Sequence, residues 1–176
     1  MDSYGNEFVH EKKIPAVFPK ALEPYDTKPI ENDFGLTSTE VLSLKAGWAM
    51  IKKKQHQVSL STYVNLFTEH YELYELFRNP QGHLNVQLAA LHQKMVLHVF
   101  QLVIEHLNDA RFVRTLLKDV ASKHKKVPVT SYEWQLYTNQ VKRYFVDTLS
   151  NFSSPSYVQA LDKLVDNICY FNVTDN

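Results

Sequence analysis

Residues 84–107, LNVQLAALHQKMVLHVFQLVIEHL, and residues 112–127, FVRTLLKDVASKHKKV, decide how the chain is read. In the first run His92, Val96, Val99, Phe100 and Val103 fall at i, i+4, i+7, i+8 and i+11. That repeat puts them on one face of an α-helix. His98 lies nearer the Leu91–Met95–Leu102 side. At 1.5 Å per residue the run predicts a helix of roughly 36 Å, long enough to cross a domain. In the second run Val113, Leu117, Val120, Ala121 and His124 repeat at 0, 4, 7, 8 and 11. Each run therefore carries a histidine inside an apolar stripe. Asn108-Asp109 separates them, and Pro128 stops the second.

Other helices extend outward from this pair. Thr37 or Ser38 reads as a helix cap, with Glu40 placed to close a capping box with Thr37, followed by Val41, Leu44, Trp48 and Ile51 at helical spacing. Lys52, Lys53 and Lys54 suit the end of that helix, where the dipole favours cations. Residues 58–77 read as a second helical region with an aromatic face, including Tyr63, Phe67, Tyr74 and Phe77. Asn79-Pro80-Gln81-Gly82 is a turn. A helix over 130–151 starts on Thr130 or Ser131, with Glu133 placed to reach back. A last helix opens with Pro155 in its first turn and carries Val158, Leu161, Leu164, Val165, Ile168 and Cys169. The expected class is all-α. Residues 1–35 form a separate regime, in which Pro15, Pro19, Pro24 and Pro29 forbid a continuous helix. Ile14, Val17, Phe18 and Leu22 either dock there or belong to a loose extension. The division is thus an extension over 1–35, a helical domain over 36–172 and a tail over 173–176.

Composition excludes several function classes. The chain of 176 residues is long enough for one sizeable core. Lys+Arg equals Asp+Glu at 19 each, so no charge excess points to nucleic acid. No run approaches the 18 or so apolar residues of a spanning helix. The lone Cys169 rules out an internal disulfide and a cysteine-based zinc finger, and fits a reducing compartment. The N-terminal MDSYGNEFVH has no basic-then-apolar leader, so the expected address is the cytoplasm. Nothing suggests hydrolytic or transferase chemistry, and the expectation is a protein that is not an enzyme.

A neutral imidazole binds iron, zinc or copper. A single histidine on an apolar face is more often a hydrogen-bonded core residue. Two of them, one on each of two helices, change that balance. Structural zinc asks for four ligands, which these helices do not supply. A planar cofactor needs one or two axial ligands and an apolar slot.

From Leu36 to Phe171 the chain resembles a globin. Trp48 matches the tryptophan of the first globin helix, and Phe77 the phenylalanine that stacks on the haem. Tyr63 falls at the second-helix position facing the distal side. His92 and Val96 match the distal histidine and the valine one turn later, and His124 matches the proximal histidine. Val129 and Trp134 follow it at family-like offsets. The spacing is most similar to intracellular neuroglobin-type and invertebrate bis-histidyl globins. The run between Phe77 and His92 is short, so the small extra helix of many globins is expected to be absent.

The resemblance implies haem b, an iron protoporphyrin, as cofactor. It implies His124 as proximal iron ligand and His92 as distal residue. His92 then either ligates the iron or hydrogen-bonds a bound gas. It further implies that Phe77 and Val96 pack the haem faces. Phe100, Val120, Val129, Trp134 and Ile168 would line the slot. Tyr63 would be placed to donate to bound oxygen. Lys94, His83 and Lys123 are candidates for the haem propionates. Implied partners are a diatomic gas (oxygen, NO or CO) or an electron donor or acceptor. Three functions stay open: a hexacoordinate protein for electron transfer or oxygen sensing, a pentacoordinate oxygen carrier or store, and a haem-free interaction module.

Overall fold

A computed structural model describes residues 30–54, 61–151 and 153–174. They form α1 (Ser38–Lys53), α2 (Ser61–Glu69), a 3₁₀ helix (Tyr71–Phe77), α3 (Val86–Glu105), α4 (Ala110–His124), α5 (Ser131–Thr148) and α6 (Pro155–Thr174). Among these residues the only extended pairings are two isolated bridges, Glu31–Thr37 and Arg78–Leu84. The class is all-α.

Local chemistry sets the helix starts. The Thr37 hydroxyl accepts from the Glu40 amide at 3.2 Å, and the Glu40 carboxylate accepts from the Thr37 amide at 2.7 Å. Thr130 and Glu133 repeat that box at 3.2 and 2.6 Å. Each box satisfies two amides that the first turn leaves without partners. Asn85 caps α3, which begins two residues later than the periodicity suggests. Asp109, read as the end of α3, is instead the cap of α4, accepting from the Phe112 amide at 3.0 Å.

The second helical region departs most from expectation. Its first residues lie outside the described ones. The α-helix ends at Glu69, His70 turns the backbone (φ −135, ψ 76), and a 3₁₀ helix follows. The cause is in YELYELF, which repeats every three residues rather than every 3.6. At that pitch Tyr71 and Tyr74 stack at 5.6 Å and 9°. Arg78 lies 5.0 Å over the Tyr74 ring and donates to the Tyr71 hydroxyl at 2.8 Å. Leu73 and Leu76, also three apart, both turn inward. Residues 78–85 form a turn with no helix; Gly82 takes φ +81 there.

Two apolar clusters result. The larger joins α1, α3, α4, α5 and α6, with Trp48 edge-on to Phe145 at 5.8 Å and Phe145 edge-on to Phe100 at 5.2 Å. The smaller gathers Tyr63, Leu66, Leu73 and Ala89. A cavity lies between them.

The packed domain begins before residue 36. Phe34 and Leu36 are buried in the larger cluster. Asn32 donates to the Leu107 carbonyl at 3.1 Å. Lys163 donates to the Gly35 carbonyl at 2.7 Å and to Glu31 at 3.3 Å. Residues 31–35, grouped above with the extension, are thus held to the turn after α3 and to α6. Docking by Ile14, Val17, Phe18 and Leu22 falls outside the described residues. At the other end α6 runs through Thr174, so 173–174 continue the helix.

Candidate functional site

His92 sits in the second turn of α3, and His124 is the last residue of α4. Their rings face each other across a cavity of about 420 Å³, with centroids 6.0 Å apart and planes at 78°. Two imidazole–metal bonds of about 2 Å each, with a ring radius on either side, span about 6 Å. The pair is therefore spaced to hold one metal atom between them. Among the described residues no three His, Cys, Asp or Glu side chains cluster to form a metal site. A metal between these two rings would take its remaining ligands from elsewhere, as a cofactor supplies them.

Each histidine is held by its other nitrogen. His124 Nδ1 lies 2.9 Å from the Val120 carbonyl. A carbonyl only accepts, so Nδ1 carries the proton and Nε2 keeps its lone pair. Trp134 stands edge-on to the ring at 4.7 Å. His92 Nδ1 is bonded to the Tyr63 hydroxyl. Phe77 and Tyr137 flank it at 5.5 and 5.4 Å. Burial, and then the nearby His124, hold the His92 pKa down to about 4, so its ring is neutral at ordinary pH. Burial pushes the Tyr63 and Tyr137 hydroxyls well above their usual range, which keeps both protonated.

Of the residues singled out in the sequence, Phe77, His92, Val96, Phe100, Val120, His124, Val129, Trp134 and Ile168 all line the cavity. Leu91, one residue before His92, is 56% exposed and points away. Tyr63 is the exception. It is buried in the smaller cluster behind His92 and is not part of the cavity wall. Of the three residues considered for the propionates, only Lys123 reaches the rim, where it pairs with Asp119 at 2.7 Å. Lys94 and His83 are exposed and stand off the cavity. Sequence reading passed over Tyr137 and Gln93. The signal for Gln93 was a polar residue on the inner side of an amphipathic helix.

These residues fit a haem. The slot is walled by leucines, valines and aromatic rings, with His92 and His124 as the residues that would hold the iron. The Lys123 ammonium stands at the rim, a donor suited to an acidic edge.

The family model for globins matches residues 60–171. The chain belongs to the globin family. That membership places it among haem-binding proteins of all-α class. Among solved structures it is similar to a hexacoordinated haem protein from an anhydrobiotic tardigrade, at 18% identity and a TM-score of 0.67. The match covers 79% of this chain and 94% of the tardigrade chain. At that identity the likeness speaks for the globin fold alone. No curated protein matches the chain by sequence.

Proposed function

We propose that this globin binds haem b with both axial positions filled, by His124 on one side and His92 on the other. The observation that carries this reading is the 6.0 Å separation of the two rings. Its likeness in fold to the tardigrade protein, itself a hexacoordinated haem protein, supports it. When bound, the iron supplies a one-electron couple and a position for a diatomic gas.

The chain's own residues do the rest. Val120 holds the tautomer of His124 that leaves Nε2 free. Leu66, Leu73, Val96 and Phe100 keep water from the slot. A gas such as oxygen, NO or CO would compete with His92 for the iron, so its apparent affinity would be reduced by the fraction of time the site is open. That suits electron exchange with a donor or acceptor, or oxygen sensing, better than bulk storage. We further propose that the protein acts in the cytoplasm and is not a dedicated enzyme. No helix among the described residues is long and apolar enough to cross a membrane.

The absorption spectrum of the reduced protein tests this. A low-spin six-coordinate spectrum is expected. A high-spin five-coordinate one would assign a reversible oxygen carrier instead, and the lack of a Soret band would overturn haem binding altogether.

A further inference from the structure

Gln93 is a polar side chain only 1% exposed, set beside His92 on α3. Burying an amide in an apolar core is costly unless it is hydrogen-bonded. Its Oε1 accepts from the Tyr137 hydroxyl at 3.0 Å. The Tyr137 hydroxyl stands 3.2 Å from that of Tyr63, and the Tyr63 hydroxyl is bonded to His92 Nδ1. Four side chains from α2, α3 and α5 thus form one line.

A phenol has a single proton to donate. The proton of Tyr137 goes to Gln93 Oε1, which can only accept. The proton of Tyr63 then goes to Tyr137. Tyr63 has none left for His92, so His92 must donate through Nδ1, and its Nε2 keeps the lone pair. The same state is imposed on His124 by the Val120 carbonyl.

We propose that Tyr63, ordered by Tyr137 and Gln93, is a positioning residue that accepts the Nδ1 proton of His92 and so commits His92 Nε2 to the iron. The proposal rests on the two-histidine reading above. It reverses the role that the globin resemblance implied for Tyr63, since a hydroxyl that donates to Tyr137 has no proton for a bound gas. An acceptor behind a ligating imidazole makes the ring more basic and strengthens its bond to the metal. The Gln93 amide nitrogen has no protein partner; the opposite amide orientation would run the protons the other way and leave Tyr63 donating to His92, the outcome the test distinguishes.

The test uses the haem-loaded protein and its Tyr63→Phe and Tyr137→Phe variants. It reads the rate of CO binding to the reduced form and the iron midpoint potential. Tyr63→Phe is expected to speed CO entry about tenfold and to move the potential upward. Tyr137→Phe should act in the same direction and less strongly. A slowly exchanging His92 Nδ1–H signal is expected in the ¹H–¹⁵N spectrum of the reduced, unsubstituted protein. A six-coordinate parent whose Tyr63→Phe variant keeps both its CO rate and its potential overturns the assignment. So does a variant that only releases oxygen faster, because Tyr63 would then be serving the gas. Should Tyr63→Phe fail to fold, the Nδ1–H signal decides, and its absence overturns the proposal. A five-coordinate parent overturns the two-histidine reading itself.

Discussion

His92 and His124 come from the second turn of one helix and the end of the next, yet their rings stand 6.0 Å apart. The turn at 106–109 and the crossing of α3 over α4 make this possible. The relationship predicts unequal effects of removing the two. His124→Leu should cut haem retention by more than tenfold, measured by haem transfer to an apoglobin acceptor. His92→Leu should keep the haem and give a five-coordinate reduced spectrum. Leu91→Ala should leave the spectrum as it is, because Leu91 is exposed.

Gly47 is buried on α1 against the ring of Tyr157. A Cβ at 47 would collide with Cε2 of that ring and come within 2.9 Å of Cζ. Alanine normally gains up to about 1 kcal/mol over glycine inside a helix. Here overpacking should outweigh that gain, leaving Gly47→Ala less stable by about 1–3 kcal/mol in urea unfolding. A stabilised variant would show that the Tyr157 ring can move aside.

Glu40 and Lys163 give a pH signature. Burial alone would raise the Glu40 carboxyl, but hydrogen bonds from the Thr37 amide and from Lys163 outweigh it and hold it below its usual 4.5. A group with a depressed folded pKa stabilises the protein above its unfolded pKa, and that contribution is lost as pH falls through the folded value. Lys163 has the opposite sign. Its bond to Glu40 raises it above 10.5, so its contribution is lost only as pH rises through the elevated value. Glu40→Gln should therefore lower stability by about 1 kcal/mol at neutral pH. The gap in melting temperature should close as pH drops below 4.5. A gap that persists at pH 3 would place the effect in packing instead.

Thr130 starts the helix that carries Trp134, Tyr137 and Thr138 to the cavity. Thr130→Ala removes the cap on the Glu133 amide and should cost about 1 kcal/mol in chemical denaturation. The Soret position should not move, since both axial histidines stay on other helices.

Periodicity and capping chemistry made much of this legible in advance. Both threonine–glutamate boxes and the two histidine stripes follow from short-range spacing, which a sequence displays directly; the slot residues Val129, Trp134 and Ile168 came only with the globin resemblance. The 3₁₀ helix was equally visible, since YELYELF repeats every three residues, but a search for 3.6-residue periods passes over it. Tyr63, Tyr137 and Gln93 were a different matter. They lie on three helices and up to 74 residues apart, and their alignment depends on how α5 crosses α2 and α3. No local pattern encodes that. Phe34 was grouped with the extension because the prolines before it end at Pro29, yet its ring belongs to the core.

The two sides of the cavity are built to different standards. His124 ends a regular α-helix and is followed by a capped one. The wall beside His92 includes Leu73, Leu76 and Phe77 on a seven-residue 3₁₀ helix. Runs of that kind longer than three or four residues are uncommon because their hydrogen bonds are poorly aligned. Local opening takes the least work where backbone bonding is weakest. One side of the slot therefore rests on regular α-helical hydrogen bonds, and the other on the less well aligned bonds of residues 71–77.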